Sequence, residues 1–266
     1  MWRPDVLSVL WPFGRAGYLV RLGQASVQLW QGHGRAWQQL GSLPCQHLAF
    51  DQAPALGELL TTLLKDLPSG ARVQVLADSK WMPVNFNLMG AKPLASQQVQ
   101  ALAKHRFAQV FGEQAHDWDI QTTYVSGDPH ALAFACPSAL QASLKQAIGA
   151  MSGLQPTFSW VWNQCWQSHV GSGDAWVLLE EQDRSLMALI SGGKPIALQA
   201  AAPIFTNPLQ LNQSLQTEAL RCGVLTQTKL VHGVSFEAKA AMTAQSATTP
   251  MGGLRWQVLG HTEALA

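Results

Sequence analysis

An order of elements that occurs twice constrains this chain more than any single motif does. Apolar alternation marks strands at 17–22, 25–31 and 36–42, with glycine-containing turns between them. Pro54 then opens a helical spacing of Leu56, Leu59, Leu60, Leu63, Leu64 and Leu67. Pro68-Ser69-Gly70 closes it ahead of a short strand at 72–76. The same β-β-β-α-β order returns later, with strands at 175–180, 185–190 and 194–200, the last two joined by a Gly192-Gly193 turn. A helix from Pro208 follows, carrying Leu209, Leu211, Leu215, Ala219 and Leu220 and ending at Gly223. Strands at 229–231 and 254–259 complete the second copy, and the Ala-, Ser- and Thr-rich stretch 237–249 suits a helix and then a loop.

The first copy carries an extra block at about 81–153. MPVNFNLMG has the pattern of an edge strand. Ser96 is placed to cap a helix over 96–112 with Val99, Leu102, Ala103, Phe107, Val110 and Phe111 on its apolar face. Strands at 119–125 and 131–136 flank the turn Ser126-Gly127-Asp128-Pro129. Ser138 then caps a helix to about Met151, and 157–162 returns as a strand.

Composition removes several classes of function. Seventeen basic and sixteen acidic residues leave a formal net charge of +1, which provides no global field for nucleic acid or an anionic membrane. No apolar run reaches the length of a spanning helix. The opening MWRPDVLSVLWPFG is broken by Pro12 and lacks a signal peptide's long apolar core. It has the makeup of a mature terminus that docks through Trp2, Leu7, Leu10 and Trp11. Cys45, Cys136, Cys165 and Cys222 form no CxxC pair, which argues against a zinc site and for free thiols in a reducing cytoplasm. Eleven tryptophans, among them Trp118, Trp176 and the cluster Trp160, Trp162 and Trp166, are expected mainly in core and inter-domain packing.

Two tandem β-β-β-α-β units suggest the α/β, duplicated ribonuclease-H-like core of the actin-like ATPase superfamily. It would have two lobes, 1–171 and 172–266, with an inserted subdomain in the first. The order of the inserted block is carried by SKWMPVNFNLMGAKPLASQQVQALAKHRFAQVFG, WDIQTTYV and ALAFACPSALQASLKQAIGAMSGLQPTFSWVWNQCW. It resembles the PilM-type actin-like proteins of type IV pilus assembly and the cytoplasmic part of the GspL-type proteins of type II secretion. The likeness of segment order and hydrophobic pattern runs over about 17–231. It implies a scaffold in the bacterial cytoplasm, peripheral at the inner membrane, whose partner is a short segment of a membrane protein. Self-association stays open. Lacking a membrane helix, the chain is closer to the PilM type.

In nucleotide-binding members of this superfamily the first hairpin runs from an Asp through a Gly and small hydroxyl residues towards a Lys. Here Gly23 and Ser26 match, so the hairpin at 20–34 is identified as a vestigial phosphate hairpin. Arg21, however, stands where the acid that organises magnesium belongs, and Gln28 where the Lys belongs. A cation in place of an acid reverses the local charge and cannot hold Mg²⁺, although Arg21 is able to meet a phosphate directly. The second hairpin, 178–185, has Glu180 and Glu181 but no close-approach glycine, and Asp183-Arg184 suits its turn. ATP hydrolysis is therefore not expected, no cofactor is required, and nucleotide binding without turnover stays open.

Weaker constellations are His116-Asp117-Trp118-Asp119, read as a solvated strand start, and Cys165 with His169 four residues on. No GxSxG elbow, metal-ligand spacing or dinucleotide fingerprint occurs. The reading is a non-catalytic adaptor whose first lobe takes a peptide. Helix 96–112 is a plausible contact element, with Gln97, Gln100, Lys104 and Gln109 opposite its apolar face. The alternatives are an active ATPase or kinase relative with degenerate loops, and an unrelated enzyme using Cys165 or the His116–Asp119 cluster.

Overall fold

The computed structural model describes residues 17–33, 36–49, 52–88, 94–123, 130–149, 151–159, 161, 175–181, 184–191, 194–202, 205, 208–221, 231–235 and 254–258. The N-terminal aromatics, the Trp160, Trp162 and Trp166 cluster, Cys165, His169, Cys222, the 126–129 and 192–193 turns and the 237–249 stretch lie outside them.

Two five-stranded sheets repeat one plan. In the first, β1 (Tyr18–Leu22), β2 (Ser26–His33), β3 (Ala36–Pro44), β4 (Val73–Ala77) and β8 (Met151–Pro156) lie in the order β3-β2-β1-β4-β8. In the second, β9 (Ala175–Glu180), β10 (Ser185–Ser191), β11 (Lys194–Ala202), β12 (Val231–Ser235) and β13 (Leu254–Val258) lie in the order β11-β10-β9-β12-β13. Each sheet starts with an antiparallel meander and then adds two strands parallel to its first. The parallel additions require a crossover, which helices α1 (Ala53–Leu64) and α4 (Pro208–Arg221) supply. The duplication predicted from the order of elements is the architecture.

A smaller sheet interrupts the first. It consists of β5 (Val84–Leu88), β6 (Asp119–Thr122) and β7 (His130–Cys136) in the order β5-β7-β6, so β5 is an edge strand as its pattern suggests. Helix α2 (Ser96–Phe111) and the 3₁₀ turn Gly112–Asp117 lie against it. Ala103, Phe107, Ala115, Trp118, Ile120, Ala133 and Ala135 form its core, and the ring centroids of Phe111 and Trp118 are 4.9 Å apart. The chain returns through α3 (Ser138–Ile148), which packs on α1, and enters the first sheet as β8.

Strand β9 explains why AWVLLE is apolar without alternation. Trp176 and Leu178 pack on Phe205 and on Leu211, Leu215 and Ala219 of α4. Val177 and Leu179, on the opposite face, share the main core with Leu22, Val27, Leu56, Leu60 and Leu76 of the first lobe. A strand covered on both sides has no polar face to show. Each fully buried Leu of this kind contributes roughly 1.5–3 kcal/mol relative to exposure.

Several local expectations fail for identifiable reasons. The return strand is Met151–Pro156, and residues 157–159 are helical rather than extended. Neither serine caps its helix: the N-caps are Ala95 and Pro137. Gln98 Oε1 instead accepts the Ala95 N–H at 2.9 Å, while the Ser138 hydroxyl donates to the Asp117 carbonyl. Val110, Leu209 and Leu220, all assigned to apolar faces by spacing, are exposed. The buried stripe of α2 is narrower, Val99, Ala103 and Phe107, because only a small three-stranded sheet covers it.

Candidate functional site

The first hairpin turn is built by register. Leu22 faces Val27 across β1 and β2, and the Gly23 N–H donates to the Ser26 carbonyl at 3.0 Å. A Cβ on Gly23 would lie 2.8 Å from that carbonyl oxygen, so the tight turn requires glycine. The flanks of the second hairpin repeat this pairing. Glu180 faces Ser185 across β9 and β10, and the Glu181 N–H donates to the Arg184 carbonyl at 2.9 Å. Glu181 is therefore the positional counterpart of Gly23. Where close backbone approach would need a bare Cα, this lobe projects a carboxylate.

Between the hairpins lies the segment Asp78-Ser79-Lys80-Trp81, immediately after β4. Parallel pairing with β1 brings the end of β4 beside Leu22, and the Asp78 N–H continues the ladder to the Leu22 carbonyl. Trp81 and Met82 N–H groups then close a turn on the Asp78 carbonyl at 2.9 and 3.0 Å. All four side chains are engaged.

Asp78 is fully buried and meets Arg21 in a forked contact, Nε to Oδ1 at 3.2 Å and Nη2 to Oδ2 at 2.9 Å. Thr157 Oγ1 adds a bond to Oδ1 at 3.0 Å. The Ser79 N–H donates to Glu181 Oε1 at 2.8 Å, its hydroxyl lies on Oε2, and Gln24 Nε2 donates to Oε2 at 2.8 Å. Lys80 Nζ donates to the Gln24 and Cys45 carbonyls at 3.0 and 3.5 Å and stands 4.7 Å over the Trp81 ring. Trp81 Nε1 donates to the Gly23 carbonyl at 2.8 Å.

Burial pushes the Glu181 carboxyl up to about 7. The Asp78 charge pushes the same way, against the hydrogen bonds from Ser79 and Gln24. Burial likewise holds the Cys45 thiol, which points at the Gly23 carbonyl, up at about 11.

Gly23 and Ser26 thus form the hairpin turn expected of them, and Arg21 leaves the hairpin to join Asp78. Gln28 folds back on its own strand, donating to Ser26 Oγ at 3.3 Å. His116, Asp117 and Asp119 are exposed, and among the described residues no group of His, Cys, Asp or Glu is arranged to hold a metal ion. On α2, Gln97, Lys104 and Gln109 are exposed, while Gln100 donates to the Ile120 carbonyl of its own subdomain. Reasoning from sequence missed Asp78, Ser79, Lys80 and Gln24. The one available signal was DSKW directly after a buried strand.

Magnesium with a polyphosphate is the group that this fold family implies, and the residues here do not fit it. Hard-oxygen coordination needs free carboxylate oxygens. Both Asp78 oxygens face Arg21, and Arg21 itself holds the place of the expected acid. On the other side, Glu181 stands where a bare glycine would be needed, and its oxygens are taken up by Ser79 and Gln24.

Two five-stranded sheets of identical strand order, whose first hairpins meet through Gln24, Ser79 and Glu181, have the plan of the actin-like ATPase fold. Solved structures agree across nearly the whole chain. A Bacteroides thetaiotaomicron protein with an actin-like ATPase fold and unknown function has a TM-score of 0.60 at 10% identity, covering 96% of this chain and 94% of that one. The PilM-PilN type IV pilus biogenesis complex gives 0.57 at 12% identity, covering 92% and 90%. The cytoplasmic domain of EpsL, an inner membrane component of the Vibrio cholerae type II secretion system, gives 0.53 at 11% identity, covering 93% and 91%. No protein-family model and no curated protein matches the sequence. No helix among the described residues is long and apolar enough to cross a membrane.

Proposed function

We propose that the chain is a non-catalytic actin-like scaffold of an inner-membrane assembly platform, of the type IV pilus or type II secretion kind. It acts by binding a short segment of a membrane protein from the cytoplasmic side. The observation that carries the reading is the junction of the two hairpins. Arg21, where the family resemblance expects an ion-organising acid, is locked on Asp78, and the second hairpin presents Glu181 in place of a glycine. A cleft whose polar groups bind one another supports a structural role better than phosphoryl chemistry. The choice of partner rests on likeness: the similar solved structures include PilM in a complex with PilN and an inner-membrane secretion component.

Crosslinking in cells followed by purification from membranes tests the reading. Recovery with inner-membrane assembly proteins is the expected result. A freely soluble protein with no such partner overturns the adaptor role. Magnesium-dependent ATP turnover by the purified chain, abolished by a substitution in the cleft, overturns its non-catalytic half and favours an active ATPase.

A further inference from the structure

Besides the apolar core that the two lobes share, one acidic side chain joins their first hairpins, and both of its protonation states fit the contacts it makes. Glu181 is 4% exposed. Its Oε1 accepts the Ser79 N–H, and its Oε2 accepts Gln24 Nε2 and lies on the Ser79 hydroxyl. As a carboxylate it takes all three as donors. As a neutral acid it donates from Oε2 to the Ser79 oxygen and still accepts from Ser79 N–H and Gln24. The hydrogen bonds are conserved between the states, so the surroundings decide which state the closed form prefers.

The charged and titratable groups about it can be named element by element. Asp78, after β4, carries the charge that opposes ionisation of Glu181, and Arg21 of β1 is committed to Asp78. Lys80 is turned to the Gln24 and Cys45 carbonyls, and the Cys45 thiol stays protonated well above neutrality. Glu180 and Arg184 flank Glu181 on its own hairpin. Among the described residues, Glu181 forms no ion pair with a cation.

We infer that Glu181 is a proton-dependent latch between the hairpins of the two lobes, holding them together as the neutral acid and loosening their contact on ionisation. The inference concerns the cleft alone and does not depend on the identity of any partner. The sign follows from linkage. With the closed-state carboxyl near 7 and a solvent-exposed one near the ordinary 4.5, the closed form binds a proton that the open form lacks. Closure is strongest below the ordinary value and weakens as pH rises through about 7.

Hydrogen exchange of the Ser79 amide, whose acceptor is Glu181, reads the latch directly. It is compared at about pH 5.5 and about pH 8.5, corrected for intrinsic exchange, with the radius of gyration from small-angle scattering as a second readout. In the wild-type chain, protection of Ser79 is expected to fall on the order of tenfold or more between the two, with a larger radius at the higher pH. Glu181→Gln, which keeps the shape and cannot ionise, is expected to show neither change. Glu181→Ala is expected to be open at both. A pH response in Glu181→Gln equal to that of wild type overturns the proposal, and so does a pH-independent wild type. The wild-type and Gln comparison decides even if Glu181→Ala does not fold.

Discussion

Arg21 and Asp78, 57 residues apart in sequence, meet in a two-pronged ion pair that water does not reach. Their strands run parallel and adjacent, which sets Arg21 opposite Leu76 and leaves Asp78 just beyond the end of the ladder. The guanidinium fork matches both carboxylate oxygens, and Thr157 takes up a further lone pair.

A buried pair of this kind contributes less than it costs to break. Removing one partner strands the other without water, so Asp78→Ala should destabilise the chain by roughly 3–5 kcal/mol. Replacing both, as Arg21→Met with Asp78→Leu, should lose far less than the sum of the single changes. Urea unfolding of the wild type, Arg21→Met, Asp78→Leu and the double variant measures the difference. A double variant as unstable as the sum of its singles would show that the charges are needed beyond their own pairing.

Gly23→Ala should also be destabilising, by about 1–3 kcal/mol, because a Cβ there would meet the Ser26 carbonyl at 2.8 Å and that atom is backbone. The turn must then shift and pull on the carbonyl that Trp81 uses. A melting temperature equal to that of wild type would mean that the hairpin tolerates the displacement.

Trp81→Phe tests that indole bond more directly. Trp81 is fully buried and donates to the Gly23 carbonyl at 2.8 Å. Loss of the donor should cost roughly 1–3 kcal/mol. The hairpin should fray before the rest, seen as faster amide exchange at Gly23 while strands β9 and β10 keep their protection. Uniform loosening of both lobes would argue against a local role.

The duplication was legible because long periodic runs survive without tertiary knowledge: the leucines of α1 and the double-faced apolar β9 need only spacing to be read. The return strand was not. Residues 151–156 contain Gly153 and end in Pro156, a composition that an edge strand tolerates and that sequence patterns penalise. The exposure of Val110 and Leu220 escaped notice for a related reason, since spacing shows a stripe but not how wide a neighbour covers it. At the cleft, Gly23 and Ser26 carried a local motif, and Arg21 announced its departure from it. Glu181 and Ser79 carried none, for their relation spans 102 residues and depends on the two lobes meeting. Only the register of β9 with β10 shows that Glu181 stands where Gly23 does.

The thiols supply a last test, on the alkaline side. Cys45 and Cys136 are buried, and burial is the main cause that raises them from 9.0 to about 11 and about 12. In the folded chain both keep their protons to a higher pH than in the unfolded chain. Their contribution to stability is therefore complete below about 9 and is lost as pH rises through the folded values. The thiolate is the nucleophile, so alkylation at about pH 8 should leave both residues unmodified in the native protein. Adding denaturant should expose them together, since both belong to the same main core. Peptide mapping by mass spectrometry after iodoacetamide treatment reads each site separately. Rapid native labelling of Cys45, whose sulfur lies 3.5 Å from the Gly23 carbonyl, would mean that the hairpin opens far more readily than its bonds to Lys80 and Trp81 imply.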